Sequence, residues 1–226
     1  MSAKMQTKSD SQIQQDVLRE LKWDTRVEEN EIGVAVEHGV VALTGALSTY
    51  AKKLAAQDAA HRVFGVLDVA NDIQVRIPGR LSRSDTEIAQ ALRSALEWDV
   101  WVPEYRIKST VSNGWVTLEG DVALLRERND AERAIRRLTG VRGVTNKIEV
   151  TPAKLQAEDL REAIEKALER RAAREARRVK VEVHDGGVKV SGPVRSWAEK
   201  RAVLGTVSHA PGVRAVEEHL FVDPLF

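Results

Sequence analysis

The sequence predicts an α+β fold built from three tandem copies of one small two-layer domain. Glycines recur at the same internal spacing, a helical segment opens each copy, and two short alternating segments follow it. The nine glycines are Gly39, Gly45 and Gly65; Gly114, Gly120 and Gly140; and Gly186, Gly192 and Gly212. Gly39 and Gly114 are 75 positions apart, and Gly114 and Gly186 are 72 apart. A period of this length indicates one structural unit used three times.

The first element of each copy has apolar residues at helical spacing. Ser9 with Gln12, and Ser84 with Glu87, have the form in which side chain and backbone cap each other at a helix start. The third copy opens on Glu158 and Asp159, which suit the positive end of a helix dipole. The apolar sets are Ile13, Val17 and Leu21; Ile88, Leu92 and Leu96; and Leu160, Ile164 and Leu168.

Two alternating segments with a two-residue break predict an antiparallel hairpin. The breaks are His38-Gly39, Asn113-Gly114 and Asp185-Gly186. Asn-Gly and Asp-Gly favour a type I′ turn, because both turn residues need positive φ. A second helix follows, with small residues such as Ala56, Ala59 and Ala60 on its buried side. The glycine after it suits a helix C-cap, and a third strand ends the copy.

Each copy is therefore predicted to be an αββαβ domain, with two helices on one face of a small three-stranded mixed sheet and a right-handed crossover. The predicted domains are 9–77, 84–151 and 156–224. Short polar linkers join them, so we expect restricted motion between them.

Composition excludes several classes of protein. Charged residues make up 31% of the chain, but the net charge is only +1, which disfavours a dedicated nucleic-acid binder. The chain has no cysteine, so disulfides and thiolate metal sites are excluded. The polar N-terminus does not resemble a signal peptide, which predicts a cytoplasmic protein, or a periplasmic one if a leader was removed.

The hairpin and the last strand resemble those of the BON domain, the module named from bacterial osmotically inducible and nodulation proteins. The resemblance lies in Val34 to Gly45 and in the Gly-Val-x-x-Val-x-Asn-x-Ile-x-Val segments that begin at Gly65 and Gly140. The third copy departs at Glu218 and the second at Ser109. The resemblance implies a non-enzymatic protein of the cell envelope or of the stress response, osmotic stress included, that attaches to phospholipid surfaces.

No catalytic or metal-binding pattern stands out in the sequence. The five histidines lack the helical spacing of a zinc site, and no nucleophile or phosphate-loop motif occurs. We therefore predict no enzymatic activity, no metal and no cofactor. Asn71 and Asn146 share strand parity with buried neighbours and are predicted to bond the backbone at the corner between helix and strand.

Five tryptophans account for half of the ten aromatic residues. Trp23 and Trp98 occupy equivalent positions at the end of the first helix, where we expect a core or helix-cap role. Trp197 is expected to pack at the base of its own second helix. Trp115 has outward strand parity and is expected to cover the open sheet face or a neighbouring copy.

Two segments differ most between the copies and are the candidate binding sites. The first is an apolar loop that can insert into an interface or pack against another copy. The second is a basic segment that can attract anionic headgroups or form a solvated helix extension with Glu–Arg pairs. The candidate residues are Trp98, Val100, Trp101, Val102 and Tyr105 in the loop, and Arg170, Arg171, Arg174, Arg177 and Arg178 in the basic segment.

The predicted function is reversible association with an anionic phospholipid surface or another amphiphile. The alternative is a protein-interaction or self-assembly scaffold, which an exposed edge strand would favour. Nucleic-acid binding is the weakest option, because no aromatic residue stands beside the arginines to stack on bases.

Overall fold

The computed structural model describes residues 8–152, 156–171 and 178–223. Each repeat follows the predicted order of helix, strand, strand, helix and strand. The first contains α1 (Asp10–Trp23), β1 (Ile32–Glu37), β2 (Val40–Leu47), α2 (Tyr50–Arg62), and a last strand in two segments, β3 (Asp68–Asn71) and β4 (Gln74–Val75). The second contains α3 (Asp85–Trp98), β5 (Ile107–Ser112), β6 (Trp115–Val122), α4 (Leu125–Ile135) and β7 (Gly143–Val150). The third contains α5 (Ala157–Arg171), β8 (Lys180–His184), β9 (Gly187–Val194), α6 (Trp197–Ser208) and β10 (Ala215–Val222).

Each repeat has its own small mixed sheet, which confirms the α+β prediction. The orders are β1-β2-β3, with β4 also on β2, then β5-β6-β7 and β8-β9-β10. The hairpin strands pair antiparallel, with Val36 opposite Val41. The last strand runs parallel to the middle one, with Val41 opposite Val69. A parallel neighbour requires a crossover, and the second helix provides it.

The three hairpin turns have the backbone geometry of type I′. The residues before glycine have φ of 49°, 52° and 46° at His38, Asn113 and Asp185, and the glycines that follow also have positive φ. All nine repeated glycines have positive φ. Gly45 and Gly120 have the strictest requirement, since an added Cβ would overlap the carbonyl oxygens of Glu31 and Arg106, respectively.

The first helices start and pack as predicted. Both capping boxes are formed, at Ser9 with Gln12 and at Ser84 with Glu87. The predicted apolar faces are buried in all three repeats. Burial of this face stabilises each helix more than its intrinsic propensity does.

The two repeated asparagines connect the second helix to the last strand, as predicted. Asn71 Nδ2 donates to the carbonyl oxygen of Lys53 at 3.2 Å, and Asn146 Nδ2 donates to that of Arg128 at 2.9 Å. Each side-chain oxygen accepts from a backbone N–H two residues later. The amide therefore satisfies one backbone group of the helix and one of the strand.

The expected core or cap role of Trp23 and Trp98 is wrong. Their side chains are 83% and 86% exposed. The buried faces of α1 and α3 end at Leu21 and Leu96, and a residue two positions later lies about 200° around the helix. Both indoles consequently point away from the core.

Trp115 covers the outer face of its own sheet, one of the two predicted placements. Its ring lies where a Cβ on Gly143 would be, and its Nε1 donates to Thr145 Oγ1 at 2.8 Å. Glycine at position 143 therefore gives the indole room to lie flat on the neighbouring strand.

The chain divides into two compact units that do not coincide with the repeats. Among the described residues, the first unit combines the chain up to Arg76 with Gly192–Ala202 and with the residues from Leu220 onward. Ile77–Ser191 and Val203–His219 form the second unit. Trp197 packs against the core of the first repeat, a contact that the expected packing at the base of its own helix does not include.

Candidate functional site

The apolar loop of the second repeat forms an exposed tip at the end of α3. Four of its large side chains are mostly exposed: Trp98 by 86%, Val100 by 87%, Trp101 by 60% and Tyr105 by 78%. We call these four residues the Trp tip. Exposed large apolar side chains gathered within one short loop are uncommon on a protein surface unless something binds there.

The backbone beneath the Trp tip is held in place. Asp99 Oδ1 accepts from the Trp101 N–H at 3.0 Å, and the Asp99 carbonyl accepts from the Val102 N–H at 3.0 Å. A 3₁₀ turn over Glu104–Arg106 then leads into β5. The loop therefore presents its side chains from a defined conformation, which lowers the entropy cost of binding.

Val102 is removed from the candidate set. Its side chain is 5% exposed, so it belongs to the core of the second repeat and cannot enter an interface. Val27 holds the equivalent position of the first repeat and is also buried. Comparison of the two copies marks this position as an anchor for the loop.

Arg126 joins the candidate site, although the sequence analysis does not single it out. Its guanidinium carbon lies 4.6 Å from the centre of the Trp101 ring. A cation over an indole face is attracted to it and limits the ring's motion. Alignment of the repeats contains a sign of this contact, because both positions change together. The first copy has Arg26 and Ala51 where the second has Trp101 and Arg126.

The equivalent loop of the first repeat is polar. Arg26 bonds the carboxylate of Asp24 through Nε at 2.9 Å and through Nη2 at 2.7 Å. Arg62 also donates to Asp24, at 2.8 Å. The bonds from Arg26, followed by those from Arg62, hold the pKa of Asp24 far below its usual value despite its burial. Trp23 is thus exposed without the apolar neighbours that Trp98 has.

The described residues include only part of the basic segment. Arg170 and Arg178 are exposed. The side chain of Arg171, together with Arg174 and Arg177, lies outside the described residues. The grouping of these five arginines thus stays a prediction from the sequence.

Potential metal ligands are scattered in the described part of the chain, residues 8–152, 156–171 and 178–223. Within them, no group of three His, Cys, Asp or Glu side chains could hold a metal ion. In the same part of the chain, no helix has the length and apolar character needed to span a bilayer. Among the described histidines only His61 is buried, and its ring lies against that of Trp197.

All three repeats match one known protein family. The family model of the BON domain matches residues 9–77, 84–152 and 156–224. The chain belongs to the BON domain family. BON domains are linked to the cell envelope, to stress and to lipid binding, and the family is not known as enzymatic.

Comparisons with whole proteins add little to this. A solved structure of CdsD, a structural protein of the type III secretion system of Chlamydia trachomatis, is 14% identical with a TM-score of 0.25, and covers 91% of this chain and 90% of that chain. A structure of the C-terminal domain of CdsD is 12% identical with a TM-score of 0.27, and covers 93% and 96%. These scores carry no functional argument. No curated protein matches the sequence.

Proposed function

We propose that this BON protein associates peripherally and reversibly with anionic phospholipid surfaces or similar amphiphiles, and that the Trp tip inserts into them. One observation carries the proposal: the four side chains of the Trp tip are 60–87% exposed, and hydrogen bonds fix the backbone beneath them. The link of BON domains to lipid binding supports the same class of ligand.

The physical basis is burial of aromatic surface at a wet boundary. Indole and phenol rings combine a large apolar area with one polar group, which suits the level of lipid headgroups. Complete burial of one large apolar side chain contributes about 1.5–3 kcal/mol. Partial insertion of two indoles therefore suffices for reversible binding.

Basic side chains add attraction to an anionic surface. Arg126 lies beside the Trp tip and has one face on the Trp101 ring. Arg170, Arg171, Arg174, Arg177 and Arg178 are proposed to act as a second anionic contact. Each basic residue near such a surface contributes about 1 kcal/mol, and salt weakens this contribution. The net charge of +1 means that the attraction must be local.

Co-sedimentation with vesicles tests the proposal. The vesicles are phosphatidylcholine alone and phosphatidylcholine mixed with phosphatidylglycerol, each at low and high salt. We expect binding to the anionic vesicles, weakened by salt, and a loss of about tenfold in partitioning for each of Trp98→Ala and Trp101→Ala. Trp23→Ala is the matched control, since Trp23 is equally exposed at the equivalent position.

Two outcomes would reject the proposal. One is the absence of binding to anionic vesicles at low salt. The other is equal partitioning of the Trp98→Ala, Trp101→Ala and Trp23→Ala variants. The Arg174→Ala, Arg177→Ala double variant tests the basic segment separately. Weaker partitioning of this variant onto anionic vesicles alone would show that the segment contributes charge attraction.

A self-assembly scaffold is the second candidate, and the first repeat carries the observation that favours it. The middle of the outer face of its sheet has small, uncharged side chains, with Ala35 opposite Ala42 and Ala42 opposite Ala70. Ala35 and Ala70 are exposed. Small apolar side chains in this position let another protein surface approach closely. Growth of mass with concentration in light scattering, abolished by Ala70→Asp, would support assembly.

A further inference from the structure

His61 and Trp197 form a stacked pair inside the first unit. The ring of His61, in the last turn of α2, lies 3.8 Å from that of Trp197, at the start of α6, with an angle of 15° between the planes. His61 is 9% exposed, and its Nε2 has no hydrogen-bond partner among the described residues. The stack lies outside the Trp tip and is independent of the proposed function.

The burial of His61 results from its contact with Trp197 and is not a general feature of the repeat. The second and third repeats have Arg136 and Ser208 at the position of His61, and both are only partly buried. At the position of Trp197, the other repeats have Tyr50 and Leu125. His61 and Trp197, which contact each other, are therefore both residue types that the equivalent positions of the other repeats do not have.

The charges around the pair disfavour a protonated imidazole. From α6, Arg201 and Lys200 face it, and the Lys200 Nζ lies 4.5 Å from the centre of the Trp197 ring. Asp58 of α2 and Asp68 of β3 act in the opposite direction. However, the Arg201 guanidinium lies 3.4 Å from the Asp58 carboxylate and offsets its charge.

The protonation state of His61 follows from these surroundings. Burial is the larger cause and the charge of Arg201 the next, and together they lower the pKa of His61 from 6.5 to about 4. A protonated ring would also bury an additional N–H without an acceptor. The stacked form therefore contains a neutral histidine at neutral pH.

We propose that the His61–Trp197 stack is an acid-sensitive latch, which holds the start of α6 against the first repeat near neutral pH and releases it in acid. When the latch opens, His61 meets water and takes up a proton. The open form thus binds more protons than the closed form, and acid favours opening.

The pH range follows from the two pKa values of His61. Stabilisation of the closed form is complete above pH 6.5 and is lost as the pH falls toward 4. The closing equilibrium should weaken about 30-fold between pH 7.5 and pH 5, and about 300-fold at most. Acidification thus changes the attachment of α6 before most carboxylates are protonated.

The test uses the full chain with 5-fluorotryptophan and ¹⁹F NMR. Trp197→Phe assigns the Trp197 resonance, and circular dichroism confirms that the chain stays folded across the titration. We expect the Trp197 resonance to shift between pH 6.5 and 4, and the shift to disappear in His61→Gln. Trp115 lies on the outer sheet face and serves as the internal control.

A second measurement tests the cause of the effect. Proton NMR should show a depressed pKa for His61, and Trp197→Ala should return that pKa to near 6.5. Arg136→His places a histidine at the equivalent position of the second repeat and should titrate normally. The proposal is overturned if the Trp197 resonance does not respond to acid, if His61→Gln responds as the parent does, or if the pKa of His61 stays low in Trp197→Ala.

Discussion

At the residue scale, one carboxylate orders each of the first two hairpins. Asp10 accepts from the N–H groups of His38 and Gly39 at 2.8 and 2.9 Å. Asp85 accepts from Asn113 and Gly114 at the same two distances. The bonds from Gly39 and then His38 lower the pKa of Asp10. The third repeat has Ala157 at this position, so its turn forms without the carboxylate.

Replacing Asp10 with Ala should destabilise the first repeat in a pH-dependent way. Because its folded pKa is lowered, the carboxylate stabilises the fold above about pH 4, and this contribution is lost as the pH falls through the folded value. Urea unfolding at pH 7 and pH 3.5 measures the difference between parent and variant. The difference should shrink in acid, and an equal difference at both values would contradict the account.

The reciprocal change is Ala157→Asp, which should stabilise the third repeat. It supplies the absent acceptor at the first residue of α5, where a negative charge also suits the helix dipole. Thermal unfolding should shift upward by about 3 °C. Ala157→Asn introduces a side chain of the same size as aspartate but without the charge. A smaller rise in unfolding temperature for this variant would separate the effect of the hydrogen-bond acceptor from that of the charge.

At the element scale, glycine has different roles in the hairpin and in the helix. Gly120 has φ of 137°, and a Cβ there would overlap the Arg106 carbonyl oxygen. Gly205 lies within α6, and a Cβ there meets no atom within 4 Å. The first glycine is required by the backbone, and the second is not.

Alanine substitutions should therefore have opposite signs at these two positions. Gly120→Ala should destabilise the second repeat by about 3 kcal/mol or more, because the overlap is with backbone that cannot move away. Gly205→Ala should stabilise α6 by about 0.5–1 kcal/mol through lower backbone entropy in the unfolded chain. Denaturant unfolding checks both, and a loss of stability in Gly205→Ala would contradict the geometry.

At the scale of the whole molecule, the core of one repeat is completed by a residue of another. Trp197 belongs to the third repeat in sequence but packs against buried residues of the first. The Arg201–Asp58 ion pair joins the same segments. A domain of about 70 residues buries little apolar surface, so an additional indole is a substantial part of its stability.

Removing this indole should weaken the first repeat more than the third. We expect Trp197→Ala to speed amide exchange in the last turn of α2 by about 30-fold, since burial of an aromatic ring contributes about 2 kcal/mol. Hydrogen exchange resolved by residue measures this. Trp115→Ala, on the outer face of another sheet, should leave α2 unchanged, and equal effects of the two variants would contradict the assignment.

The sequence by itself determined the module: its element order, its type I′ hairpins, its capping boxes and the corner role of Asn71 and Asn146. These features depend on local backbone preferences and on the spacing of apolar residues, and short stretches of sequence are enough to reveal both. Repetition strengthened each prediction, because three copies had to satisfy the same pattern.

Only the tertiary structure decided which tryptophans are exposed and what each one contacts. The expectation for Trp23 and Trp98 is a core or helix-cap role, but both side chains are exposed. Val102 is a candidate binding residue by sequence and is buried, and Trp197 packs on a different repeat. An indole suits a core, a sheet face and an interface equally well, so its residue type does not select among them. The neighbours that settle the choice, such as Arg126 and His61, are distant in sequence and meet their tryptophans only in the folded chain.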